Sequence, residues 1–102
     1  MNYDTFMAHT VSDRRKLWLS CSKEEVVELL AMHRRRWLAA NSLELTSDQI
    51  SVVEEDIRFV ETELAYVETN PEFAAHQREL QKRVFEVLPA TIIAKLSPIP
   101  RE

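Results

Sequence analysis

An all-α bundle is the fold class this sequence predicts, on three observations. Apolar residues between Thr46 and Asn70 keep a register of seven, two capping boxes mark helix starts, and the chain contains no glycine. In the register, Ile50, Val53, Ile57, Val60, Leu64 and Val67 alternate steps of three and four, the spacing of one helix face. A second row, Val52, Phe59 and Tyr66, recurs every seven residues on a neighbouring face. Tight hairpins, glycine-rich nucleotide loops and phosphate nests need glycine, so their absence from this chain is expected.

With Ile50, Ile57 and Leu64 at a positions and Val53, Val60 and Val67 at d, residues Glu54, Glu61 and Glu68 fall at e. Asp56 and Glu63 fall at g. Both flanks of the seam are acidic, so two copies of this helix are not expected to pair in parallel, and a helix with basic flanks is the expected partner. The added row at Val52, Phe59 and Tyr66 widens the apolar sector enough to touch two neighbours, which favours a bundle over a free coiled coil.

Taken in order, Tyr3 to Leu19 has helical spacing interrupted at His9-Thr10-Val11-Ser12, a run of poor helix formers. Ser22-Lys23-Glu24-Glu25 is a capping box, with Cys21 and Val26 placed as its apolar staple. The helix it opens is expected to run to about Ala40, with Val26, Leu29, Leu30, His33, Trp37 and Ala40 on one face. Asn41 is the expected terminator in a left-handed conformation. Thr46-Ser47-Asp48-Gln49 repeats the box, with Leu45 and Ile50 as staple, and the acidic helix after it is expected to end near Glu68.

Asn70-Pro71-Glu72 reads as N-cap, first helical residue and first-turn acid. The next helix carries Phe73, Leu80, Val84 and Val87 on its seam, with Gln77 as the polar member and Arg78, Lys82 and Arg83 set toward the acidic helix. Pro89 interrupts it, and about two more turns fit before Ser97-Pro98-Ile99-Pro100, which cannot be helical. The expected architecture is a small bundle of four or five helices built around an antiparallel hairpin over about 46–88. One domain is expected at 1–96, with an extended tail at 97–102.

Charge is segregated. Between residues 43 and 70 lie Glu44, Asp48, Glu54, Glu55, Asp56, Glu61, Glu63 and Glu68 against Arg58 alone. The net charge of −4 argues mildly against nucleic acid as the main partner. A single cysteine, Cys21, leaves no intrachain disulfide. The start has no signal-peptide pattern, and the apolar runs are too short for a membrane span, so a cytoplasmic protein with no membrane contact is expected.

Residues with chemical capacity read mostly as structure. His33 lies on an apolar helix side, five residues from Glu28, which is not the Glu-x-x-His spacing of metal-binding bundles. Glu72 and His76 could share a divalent ion but have no further ligand in the pattern. Cys21 near a helix start could be a nucleophile, yet its staple position accounts for it. Arg34, Arg35 and Arg36 spread around their helix, so they cannot all pair with one acidic neighbour. Their main expected role is salt bridging, with an acidic protein partner or, with Arg14, Arg15, Lys16 and Trp18, nucleic-acid phosphates as other readings.

The sequence therefore leads to a non-enzymatic protein–protein interaction module of adaptor, small-chaperone or inhibitor type, without cofactor or metal. The alternatives are a small nucleic-acid-binding regulator using Arg34–Arg36 and a metal-binding helical bundle. A homodimer is expected, with Val52, Phe59 and Tyr66 as the shared face. The partner-binding residues named by sequence are thus Val52, Phe59, Tyr66, Arg34, Arg35 and Arg36.

Overall fold

In the computed structural model, which describes residues 2–99, the chain folds as an all-α bundle with no strand among the described residues. The helices are α1 (Tyr3–Met7), α2 (Val11–Ser20), α3 (Lys23–Asn41), α4 (Ser47–Thr62), α5 (Pro71–Val87) and α6 (Ala90–Ala94). The count reaches six because the amino-terminal segment divides and because a single turn forms after Pro89. Thr10 accepts from the Asp13 amide as the N-cap of α2, which fixes that division.

Both capping boxes form in full. Ser22 Oγ accepts from the Glu25 amide while Glu25 accepts from the Ser22 amide, and Thr46 and Gln49 repeat the exchange. Asn70 Oδ1 accepts from the Glu72 amide, with Pro71 at the first helical position. The termination of α3 differs from expectation. Asn41 is not left-handed (φ −118°, ψ 4°); it is buried, and its side chain donates to the Trp37 carbonyl before a 3-10 turn at Ser42–Glu44.

The central helix also ends earlier than its heptads suggest, at Thr62 rather than near Glu68. Thr62 Oγ1 bonds back to the Arg58 carbonyl at 2.8 Å, a contact that competes with the helical ladder. Glu63 then leaves helical geometry (φ −128°, ψ −19°), and a 3-10 turn at Leu64–Tyr66 starts the reversal.

α4 is the centre of the molecule, packed on one side by α3 and on the other by α5. Gln49 meets the Val87 carbonyl, Glu55 meets Arg83, Phe59 meets His76 and Tyr66 meets Phe73, so position falls along α5 as it rises along α4. Lys23–Glu68 and Arg34–Asp56 give the same opposed sense for α3. Main-core residues are Ala31 and Trp37 of α3, Val53, Ile57 and Val60 of α4, then Leu88 and Ile92. Ile50, Leu64 and Val67 of the expected seam are only half-buried.

Three helices side by side make a flattened body of 36 × 33 × 19 Å. Its radius of gyration, 14.0 Å, exceeds the ~13 Å of a rounded domain of about 100 residues. α6 lies over one part of the layer, where the Trp37 indole donates to the Ile92 carbonyl. α1 packs against α3 and carries α2, which buries no residue and leaves Leu19 87% exposed. Of the expected tail, Ser97–Ile99 is non-helical, while residues 100–102 lie outside the described residues.

Candidate functional site

Where α6 stops covering the layer, a cleft opens between α3 and α5 above α4. Arg34 and Trp37 come from α3, Val53 and Asp56 from α4, Gln81, Val84 and Phe85 from α5, and Ile93 and Leu96 from α6 and the segment after it. Each helix contributes residues three or four apart, as a shared helix face requires. The volume is about 290 Å³, just below the ~300–1,000 Å³ typical of ligand sites. Phe85 stands at the rim, 65% exposed.

At the floor, Arg34 Nη1 lies 2.6 Å from Asp56 Oδ2. Asp56 is only 7% exposed, and its Oδ1 has no hydrogen bond among the described residues. An ionised carboxylate offers about four acceptor positions, so one guanidinium bond leaves it under-satisfied. Burial raises the Asp56 pKa above the ordinary carboxylate value; the attraction and hydrogen bond of Arg34 oppose that rise without cancelling it. The heptad placed Asp56 at a g position, on an acidic flank expected to face a helix with basic flanks, and Arg34 of α3 meets it there. The register did not indicate its depth, which arises because α3 and α5 crowd that side of α4.

The three arginines go to different acids of their own chain. Arg34 pairs with Asp56, Arg35 with Glu61, and Arg36 with Asp4 at 3.1 Å while lying over the Tyr3 ring. The first two pairs reach α4 and the third reaches α1, which resolves how three consecutive helical arginines are used. Arg14, also considered for a basic surface, lies 3.4 Å from the Met7 sulfur.

The row Val52, Phe59 and Tyr66 is not one exposed face, and the shared-face expectation is corrected. Phe59 is 3% exposed and meets His76 of α5 edge-on at 5.3 Å. Val52 is half-buried. Tyr66 is exposed beside Phe73, but it lies beyond the end of α4 and so off the row. α5 covers the side where the row was placed, and the break after Thr62 displaces its last member.

His33 is a structural clasp. Its Nδ1 lies 2.8 Å from the Tyr3 hydroxyl, and its Nε2 bonds the Ser97 carbonyl. A carbonyl only accepts, so the geometry assigns the proton to Nε2 and makes Nδ1 the acceptor from Tyr3. Cys21 is half-buried; burial and then the Glu25 charge push its thiol pKa up, away from nucleophilic thiolate. His76 lies 3.7 Å from Glu63 in an ion-pair geometry. No group of three or more potential metal ligands is assembled among the described residues.

No protein-family model matches the chain, and neither a curated protein nor a solved structure matches it significantly. The cleft itself was missed by sequence reasoning, although two signals were present. An acid at position 56 interrupts the apolar cluster Val53, Ile57 and Val60, and Phe85 is an aromatic off the α5 seam.

Proposed function

We propose that this chain is a non-enzymatic protein-interaction module, of adaptor, small-chaperone or inhibitor type, acting in the cytoplasm. The observation that supports it is the cleft: apolar walls under an aromatic rim, with Phe85 65% exposed beside Val84 and Leu96. A large exposed aromatic next to apolar concavity is the usual composition of a recognition surface. The nucleic-acid reading rested on Arg34, Arg35 and Arg36, and these side chains are each engaged by an acid of the same chain. A second copy of the chain is one partner this reading admits, now through the Phe85 face rather than through Phe59.

The test compares the tagged protein, purified from its native cell, with Phe85→Glu and with Leu43→Glu, a change at a fully exposed site away from the cleft. Proteins identified by mass spectrometry are expected to be lost with the first change and retained with the second. Light scattering of both variants at micromolar concentration reads self-association in the same way. Retention of every partner by Phe85→Glu would count against the reading. So would substrate turnover by the isolated chain that disappears on changing His33 or Cys21.

A further inference from the structure

We propose that two copies of this chain dock reciprocally, α2 of each lying in an apolar trough along α3 of the other. The inference goes beyond the reading above, because it concerns a different surface and leaves the Phe85 cleft open to another protein.

The first observation is a helix without a core. α2 has 10 residues, and a helix of that length is marginal in water unless an apolar face is packed. Yet it buries no residue. Arg14 and Trp18 turn toward α1, Arg14 beside the Met7 sulfur and Trp18 tilted against Phe6 at 6.2 Å. Ser12, Arg15, Lys16 and Leu19 share another face by their helical spacing, and all four are exposed.

The second observation is the trough. Two depressions adjoin along α3, since Val27 lines both. Leu29 and Met32 continue the apolar lining in one of them, and Val26, Leu64 and Val67 in the other. The α3 lining reaches from Lys23 to Arg35. At the helical rise this stretch is about 18 Å long and α2 about 15 Å.

The third observation is charge. Glu28 lines the trough, and Glu24 stands exposed one turn before it. Neither forms an ion pair among the described residues, and neither does Lys16. A basic helix face carrying an apolar side chain therefore matches an apolar trough edged by unpaired acids. The other depressions offer no such acid. Asp56 below Phe85 is held by Arg34, Glu55 and Glu63 beside Phe59 are set against Arg83 and His76, and the depression at His33 is lined by Arg36 and Lys95.

The two surfaces are also neighbours. Cys21 caps the end of α2 and lines the trough. A two-fold axis beside Cys21 seats both α2 helices at once and closes the assembly at two copies.

The experiment is sedimentation velocity of the full chain over a concentration series, with amide exchange measured in parallel. The mass is expected to rise from 11.9 kDa toward twice that value, and to rise less at high salt. Amides of α2 should become more protected as it rises. Leu19→Glu, an exposed change, should hold the monomer mass without moving the urea midpoint of the dilute bundle. Lys16→Glu and Glu28→Lys should each shift the series toward monomer. Mixed in equal amounts, they should recover association, because the mixed dimer pairs the two changed side chains in one contact and keeps the original pair in the other.

A monomer at every concentration would overturn the inference, as would a Leu19→Glu dimer or no recovery in the mixture. Loss of the dimer on Phe85→Glu, with Leu19→Glu still dimeric, would move the second copy to the cleft; that outcome overturns this inference and keeps the interaction reading. A dimer retained by Phe85→Glu, with no other protein depending on Phe85, would support this inference and count against the cleft. Partners lost with Leu19→Glu from a chain that never dimerises would assign the α2 face to another protein and overturn the reciprocal contact.

Discussion

The indole nitrogen of Trp37 donates to the carbonyl of Ile92 at 2.9 Å, joining residues fifty-five positions apart. This bond, with the burial of both side chains, fixes α6 across α3 and so sets one end of the cleft. Trp37→Phe keeps an aromatic and removes the donor and part of the volume. It should cost about 1–3 kcal/mol, since Ile92 retains a bond from the Lys95 amide. Urea denaturation gives the number, and amide exchange should accelerate in α6 before it does in α4. Uniform acceleration would mean that α6 is held by something else.

The adjacent arginines Arg34 and Arg35 should behave very differently when truncated. Arg35 and Glu61 are 46% and 39% exposed, so Arg35→Ala should stay within about 1 kcal/mol, as exposed pairs do. Arg34→Ala leaves the Asp56 carboxylate buried without its cation and should cost about 3–5 kcal/mol at neutral pH. Matching losses at the two sites would show that Asp56 is better solvated than its burial indicates.

Asp56 also gives a pH signature. Burial raises its pKa in the folded chain above the unfolded value of about 3.9. From about 3.9 up to the folded value, the folded chain binds more protons than the unfolded chain, so stability from this group falls as pH rises. Below that window the contribution is complete, and above it the contribution is lost. Asp56→Asn has no such slope, so its stability relative to the wild type should increase between about pH 4 and pH 7. Denaturant midpoints of both proteins across this range provide the measurement. The opposite trend would mean that pairing with Arg34 outweighs burial.

Along α4 and its extension, position decides the cost of truncation. Ile57 is fully buried, and Ile57→Ala should cost about 2–5 kcal/mol. Leu64, half-buried and beyond the helix end, should lose clearly less. Glu54→Ala, on the exposed side, should fall within about 0.5 kcal/mol. Equal losses at Ile57 and Leu64 would restore the unbroken heptad helix.

These contrasts also show what was legible in the sequence. Helix starts were written locally, because a cap needs only a hydroxyl or amide oxygen and an amide two or three residues on, as at Ser22, Thr46 and Asn70. The end of α4 was not, because Leu64 and Val67 continue the apolar spacing past Thr62 and no glycine or proline marks the break. There the chain exchanges helical hydrogen bonds for the packing of α5. Asp56 was equally hidden, since its register named a flank and its burial depends on Arg34 and α5, both distant in sequence. The apolar cleft is a property of three helices and α6 together, and no single helix pattern contains it.

The placement of α4 between its two sequence neighbours carries a kinetic consequence. Each long helix meets the next one across a short connection, so little chain must be closed into loops before native contacts form. Folding is expected to begin at α4 with either flanking helix and to proceed rapidly, as in other helical proteins of low contact order. The distant joins, Trp37 to Ile92 and His33 to Ser97, then close over a layer already formed. Changes in the α4 core should therefore slow folding, whereas loss of the Trp37 donor should mainly hasten unfolding.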